Sequence, residues 1–425
     1  MKFKPYWLDT APEGPDRSNT EVGGNVDVAV VGAGLTGLSA ALHLARKGAT
    51  VAVFERETVA FGASGRNGGM ATPGLSIGFR DAISRYGFPT ASTLYLTYND
   101  AIDTIEKLVA DEGIACDFAR TGKMNLAAKP AHYDGLRKTH EVLAERLGHE
   151  TQMVPKAELR SEIGSDHYHG AMIDPRGAGL HVGKFTKGLA QAAARAGALI
   201  HEKAPVEQVQ RLGGGRHEVV TPRGTVRADQ VLVATSGYTG RPFRWLQLRI
   251  APVGSFIIVT EPLGQKICDQ LLPNRRMASD SKNLLYYFRI TPDHRLLFGG
   301  RARFAMSNPQ SDQKSGRILK KAMVSVFPQL ADARVDYCWG GLVDMTMDRM
   351  VHAGEHDGLF YSLGYSGHGV QMATYMGKQM AEYMNGVQDA NPWRDLAFKR
   401  IPGHVGPPWF LPFAGAYYKF QDVIK

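Results

Sequence analysis

Two hydrophobic rhythms alternate along the chain. One is the continuous apolar run: Val28-Ala29-Val30-Val31, Val51-Ala52-Val53-Phe54 and Gln230-Val231-Leu232-Val233-Ala234-Thr235. Such runs suit strands buried on both faces of a parallel sheet. The other is apolar recurrence every three or four residues, as in Leu38, Ala41, Leu42 and Ala45, which predicts a helix directly after the first strand. Residues 91 to 150 read as mostly helical, with Ile102, Ile105, Leu108 and Val109 on one face and Leu136, Val142, Leu143 and Leu147 on another. Between these, Ile114 to Ala127 alternates and predicts a strand pair turning at Gly122. A helix over 185–196, a strand from Leu199 and a hairpin of Val206–Val209 with Glu218–Val220 follow.

From Leu248 the rhythm becomes antiparallel. Strands are expected at Phe256–Thr260, Leu284–Ile290 and Arg295–Gly300, the last two joined at Thr291-Pro292-Asp293-His294. A helix near 313–326 comes next, then a strand over Gly358–Leu363, a glycine-rich turn and a helix from Val370 to Met384. The helical block interrupts the strand–helix alternation, so it is expected in a second domain inserted into the first. The expected boundaries are 25–90, 160–245 and 335–400 for one discontinuous domain and 91–159 with 246–334 for the other. Residues 1–24 form an arm, and the aromatic tail 401–425 packs on the protein.

Composition narrows the class. The chain has 425 residues, enough for two cores, with 44% hydrophobic and 21% charged residues. Its net charge of +9 is spread along the chain without a basic tail, which points to anionic small molecules and away from nucleic acid. Three separated cysteines, Cys116, Cys268 and Cys338, form no metal-binding pair and fit a reducing, cytoplasmic compartment. No apolar run approaches the roughly 18 residues that span a bilayer, so membrane attachment is not expected.

Candidate chemistry sits in three glycine-rich turns. Gly32, Gly34 and Gly37 follow the first strand at the spacing G-x-G-x-x-G, and Glu55 ends the second strand eighteen residues past Gly37. Strand, turn, helix, strand and acid in that order make a dinucleotide site: tight turn, close approach of pyrophosphate, helix–strand packing and a ribose acceptor. The loop Gly62-Ala63-Ser64-Gly65-Arg66-Asn67-Gly68-Gly69-Met70 can lie flat against a planar ligand. The turn Gly364-Tyr365-Ser366-Gly367-His368-Gly369 precedes the last helix. Its positive end can face the pyrimidine side of a flavin ring, where negative charge gathers on reduction. Two such helix starts favour flavin over nicotinamide.

These motifs, with Leu296-Leu297-Phe298-Gly299-Gly300-Arg301, Trp339-Gly340-Gly341 and the tail Pro407-Pro408-Trp409-Phe410-Leu411-Pro412-Phe413, resemble the FAD-dependent D-amino-acid oxidase/glycine oxidase superfamily. They look most like its γ-glutamylputrescine oxidase branch. The resemblance implies an α/β fold: a Rossmann-type FAD-binding domain with an inserted antiparallel-sheet plus helices (α+β) substrate domain. It places Gly32, Gly34, Leu35, Thr36 and Gly37 on the pyrophosphate, and Glu55 with Arg56 on the adenosine ribose. Ser64, Arg66, Asn67, Gly68, Gly69 and Met70 border the flavin. Val206, Thr235, Gly237, Gly341 and Gly364 complete the cofactor contacts, with Gly367, His368, Gly369 and Val370 at the ring's carbonyl edge. Some relatives tether FAD through a cysteine just after the Trp-Gly-Gly segment; Asp344 and Met345 stand here, so FAD is expected to be noncovalent.

The implied reaction is oxidation of an amine C–N bond. Hydride passes from the α-carbon to flavin N5, the imine hydrolyses, and O2 reoxidises the flavin to give H2O2. The alternative is a dehydrogenase that passes electrons to a quinone or other acceptor. No dedicated acid–base residue is required. Substrate contacts are expected from Met70, Tyr286, Tyr287, Arg289, Arg301 and His368, an arginine clamping the carboxylate of a γ-glutamylated or similarly acidic amine. Alternation sets Tyr287 and Arg289 on one face of their strand.

Overall fold

The computed structural model describes residues 1–300, 309–406 and 408–424. Two eight-stranded sheets carry the fold. The first runs His352–His356, Leu359–Leu363, Gly224–Val233, Asn25–Val31, Val51–Phe54, Leu199–His201 in spatial order. All but the first of these strands are parallel. The hairpin Gln208–Arg211 with His217–Thr221 adds to Gly224–Val233 at the side. Val28 and Val30 point into one core and Ala29 and Val31 into another, so the apolar run is explained by burial of both faces.

The second sheet runs Val335–Met345, Ala251–Thr260, Leu296–Gly300, Tyr286–Ile290, Met277–Asp280, Lys123–Leu126, Gly170–Asp174, Gln152–Pro155. It is antiparallel except between Met277–Asp280 and Lys123–Leu126. Phe256, Ile258, Phe288 and Phe298 face helix Pro309–Val326, burying Leu319, Met323 and Val326 beneath them. Ile257, Val259, Leu297 and Trp339, one residue out of phase, join the core of the first sheet. The second sheet therefore has no solvent face over this stretch.

Several elements depart from expectation. Only Lys123–Leu126 forms after Gly122; before it Ala119 makes a lone bridge to Gly179, because the neighbouring partner is a two-residue strand. Val335–Met345 and Gly170–Asp174, expected with the first sheet, pair in the second. Helix Phe88–Glu112, expected with the second unit, buries Leu94, Tyr98, Ile102 and Ile105 in the core of the first and packs on helix Gly369–Met384. The arm is no loose lead-in: helix Tyr6–Thr10 buries Trp7 completely. The tail forms helix Leu411–Ile424, since Pro412 falls in its first turn, where an amide has no helical partner anyway. It touches the protein through Leu411 and Asp422 but leaves Trp409, Phe413, Tyr417 and Phe420 exposed.

Candidate active site

A cavity of about 800 Å³ opens where the parallel strands end and the second sheet faces them. Val31, Phe54 and Ala234 mark the strand ends on its wall. Helix Leu35–Arg46 starts there with Gly34 as cap, so no side chain closes its positive end. Gly32 sits at φ 109°, and a Cβ on it would lie 2.7 Å from the Ala234 carbonyl oxygen. Gly37 meets the Gly32 carbonyl oxygen with no room for a Cβ. Both carboxylate oxygens of Glu55 accept backbone N–H groups, from Ala33 and Glu57, each at 2.9 Å. Burial nevertheless raises the Glu55 pKa, against those two hydrogen bonds.

The second glycine-rich turn reaches the same cavity because its helix crosses the first. At Gly377 the helix Gly369–Met384 presses on the Thr36 carbonyl oxygen and the Ser39 side chain, and Ser39 Oγ donates to the Thr374 carbonyl at 2.7 Å. Near the cavity Thr36 Oγ1 and Tyr365 Oη are 2.7 Å apart, and Ser362 Oγ is 2.9 Å from the same phenol. The buried Asp344 carboxylate accepts from the Gly364 N–H at 2.7 Å and Ser236 Oγ at 2.8 Å. Burial raises its pKa against these bonds. His368 Nδ1 lies 3.0 Å from Ser76 Oγ, and burial first, the Lys123 charge second, push its pKa down to about 3.

Between these turns the loop Gly62–Met70 is nailed in place. Asn67 donates to the Ala63 and Ser64 carbonyls and accepts from the Gly69 N–H. The indole N–H of Trp7 donates to the Asn67 carbonyl at 2.7 Å and that of Trp339 to the Arg66 carbonyl at 3.0 Å. Arg66 itself donates to the Phe61 and Gly340 carbonyls. Ser64 Oγ accepts the Leu35 N–H at 2.9 Å, joining the loop to the helix start.

Most of the expected cofactor residues therefore share one wall. Gly32, Gly34, Leu35, Thr36, Glu55 and Arg56 line the cavity from the first turn. Ser64, Arg66, Asn67, Gly68 and Met70 line it from the loop, and Gly367, His368, Gly369 and Val370 from the last helix. Val206, Thr235 and Gly341 also lie on it. Gly37, Gly69, Gly237 and Gly364 do not. Gly37 packs helix on strand, Gly69 abuts the Leu180 carbonyl, Gly237 meets Leu342, and Gly364 turns at φ 85° to donate to Asp344.

Of the expected substrate residues, Met70, Tyr287 and His368 reach the cavity. Tyr286 turns to Phe298 and the core on the opposite face. Arg289 is on the Tyr287 face but is buried and spent on backbone: it donates to the Gly69 and Leu180 carbonyls, and Gly179 makes room for its guanidinium. Arg301 lies outside the described residues. Missed by the sequence reading are Ser255, Ser279, Lys123, Asp344 and Tyr365, all on the cavity wall. Alternation could have found three of them: Ser255, Ser279 and Lys123 are out of phase with Phe256, Ala278 and Met124, which face the core under helix Pro309–Val326.

A family model described as DAO, FAD dependent oxidoreductase, matches residues 27–383. The chain belongs to the DAO family of FAD-dependent oxidoreductases. Among DAO-family proteins it is 36% identical over 409 residues to a probable oxidoreductase OrdL of Haemophilus influenzae, covering 94% of this chain and 92% of that one. It is 33% identical over 405 residues to the gamma-glutamylputrescine oxidoreductase of Escherichia coli, covering 93% and 92%. The crystal structure of glycine oxidase from Geobacillus kaustophilus superposes with a TM-score of 0.72 at 23% identity, covering 90% of this chain and all of that one. The Rossmann-type domain with an antiparallel-sheet partner is thus the DAO fold. The cofactor of a DAO-family enzyme is FAD. The residues present fit it: a glycine-capped helix start for phosphates, and at Gly367 space where a Cβ would meet nothing within 4 Å.

Proposed function

We propose that this enzyme is an FAD-dependent oxidase of a carboxylate-bearing amine, with γ-glutamylated amines as the substrate class. One observation carries the reading: the second sheet turns Tyr287, Ser255, Ser279 and Lys123 onto a cavity whose wall also holds two glycine-rich helix starts and the pinned loop. The 33% identity to a protein named gamma-glutamylputrescine oxidoreductase supports the choice of amine. In this proposal the first sheet with its helices holds the cofactor and the second sheet with helix Pro309–Val326 faces substrate.

FAD, when bound, would supply the acceptor for hydride from the amine α-carbon, the imine passing to water and O2 taking up the two electrons as peroxide. The chain supplies position and electrostatics. The Thr36 amide and the dipole of its helix would hold the pyrophosphate, and Glu55 would accept the ribose hydroxyls. The loop Ser64–Met70, held by two indoles, would border the ring, and the amides of Gly367 and Gly369 at the start of the last helix would stabilise negative charge at its carbonyl edge. Tyr287 and Met70 flank the amine. His368, neutral across the physiological range, can accept or donate a hydrogen bond without adding positive charge. FAD is noncovalent: among the described residues none of the three buried cysteines lines the cavity, and burial pushes the Cys338 thiol up to about 12.

The deciding experiment is anaerobic titration of the yellow protein with amines, amino acids and γ-glutamyl amines. Bleaching by γ-glutamyl amines is expected, with one peroxide per turnover when air is admitted. Electron delivery to a quinone without peroxide would replace the oxidase by a dehydrogenase. Acid precipitation is expected to leave the pellet colourless.

A further inference from the structure

Lys123 opens strand Lys123–Leu126, whose alternation sends Met124 and Leu126 into the core and turns Lys123 to the cavity wall. Other cations on that wall are already engaged. Arg66 donates to two carbonyls, and Lys282 pairs with Asp280 at 3.0 Å while lying over the Tyr286 ring. The Lys123 ammonium makes no hydrogen bond or ion pair among the described residues. A partly buried ammonium without an anion is costly, so such a group is kept where a ligand brings the anion. Of the two arginines offered for that anion, Arg289 has its donors on backbone carbonyls instead, and Arg301 lies outside the described residues.

A buried carboxylate opposes the loss of charge that burial of the lysine favours. Directly across the strand pair stands Asp174, buried, with its carboxylate accepting from the Arg176 N–H and lying 2.7 Å from His149 Nε2. Burial lowers the Lys123 pKa, and the Asp174 charge works against that shift. Its wall neighbours Met277, Ser279 and Tyr287 belong to the second sheet, whereas the phosphate-binding turn belongs to the first. We infer that Lys123 anchors the carboxylate of the substrate and thereby selects acidic amines over neutral ones. The inference rests on the amine-oxidising reading above and deepens it by naming the residue that sets substrate class.

The test uses the full-length, FAD-loaded enzyme with γ-glutamylputrescine and its α-carboxamide analogue. Lys123→Met is expected to lose about 30-fold in kcat/KM on the carboxylate, mostly through KM, as for one lost charge-assisted hydrogen bond. Its preference for carboxylate over carboxamide should collapse, and Lys123→Arg should restore most of it. In parallel, glutarate, which carries no amine, is titrated against the flavin spectrum; wild type should bind it at least tenfold more tightly than Lys123→Met. Lys123→Gln repeats both measurements should the methionine variant fail to retain FAD. An unchanged KM and preference in the variants overturns the inference, as does a defect confined to reoxidation by O2. If no amine bleaches the wild type while glutarate binding still depends on Lys123, the amine reading fails and the anchor stands.

Discussion

His368 shows how one residue's surroundings set a testable pH response. Burial and the Lys123 charge hold its pKa near 3, whereas in the unfolded chain it titrates near 6.5. Below pH 6.5 the unfolded state therefore binds a proton that the native state refuses, and stability falls as pH falls. The slope from this residue reaches about 1.4 kcal/mol per pH unit. Melting temperatures should drop from pH 6.5 towards pH 4, and less steeply in His368→Gln; equal slopes would remove His368 as the cause. Gly37 gives a second residue-scale expectation. A Cβ there collides with the Gly32 carbonyl oxygen, so Gly37→Ala should cost about 3 kcal/mol or more and strip the bound flavin, read as flavin absorbance per protein.

At the scale of elements the decisive contact is the crossing of helices Leu35–Arg46 and Gly369–Met384. Gly377 lets them touch, and this aims both helix starts into one cavity. Gly377→Val should push them apart, lowering FAD affinity at least tenfold in a titration of the apoprotein, while the distant second-sheet core is untouched. Here the limit of sequence reading becomes physical. The strand–turn–helix unit around Gly32 and the hairpin at Thr291–His294 are legible, since each rests on local spacing and turn chemistry. Gly377 reads as any helical glycine, because its reason is a carbonyl over three hundred residues away. Arg289 lies on the face that alternation predicts, yet it braces backbone instead of clamping substrate. Alternation fixes a direction, not the carbonyls that wait there. Lys123 lies in the alternating stretch Ile114–Ala127, yet nothing in Lys-Met-Asn-Leu says that the face away from the core meets a cavity.

Over the whole molecule, both the arm and the tail bond to segments of the cavity wall. In the tail, Asp422 accepts from the Asn283 and Leu284 N–H groups, and Asn283 and Leu285 line the cavity. Asp422→Ala removes hydrogen bonds of about 1 kcal/mol each, so KM should rise severalfold with kcat nearly unchanged. An unchanged KM would sever the tail from the site. The arm is the more consequential end. Trp7 holds the loop at Asn67, Tyr6 donates to Asp293 at 2.6 Å, and Lys2 exchanges backbone bonds with Asp336 and Cys338. Lys2 and Tyr6 thus find their partners only once the segments around Asp293 and Asp336 have been made. Until then helix Tyr6–Thr10, and with it the indole that braces the loop at Asn67, lacks part of its seat, so the flavin pocket is completed late in synthesis.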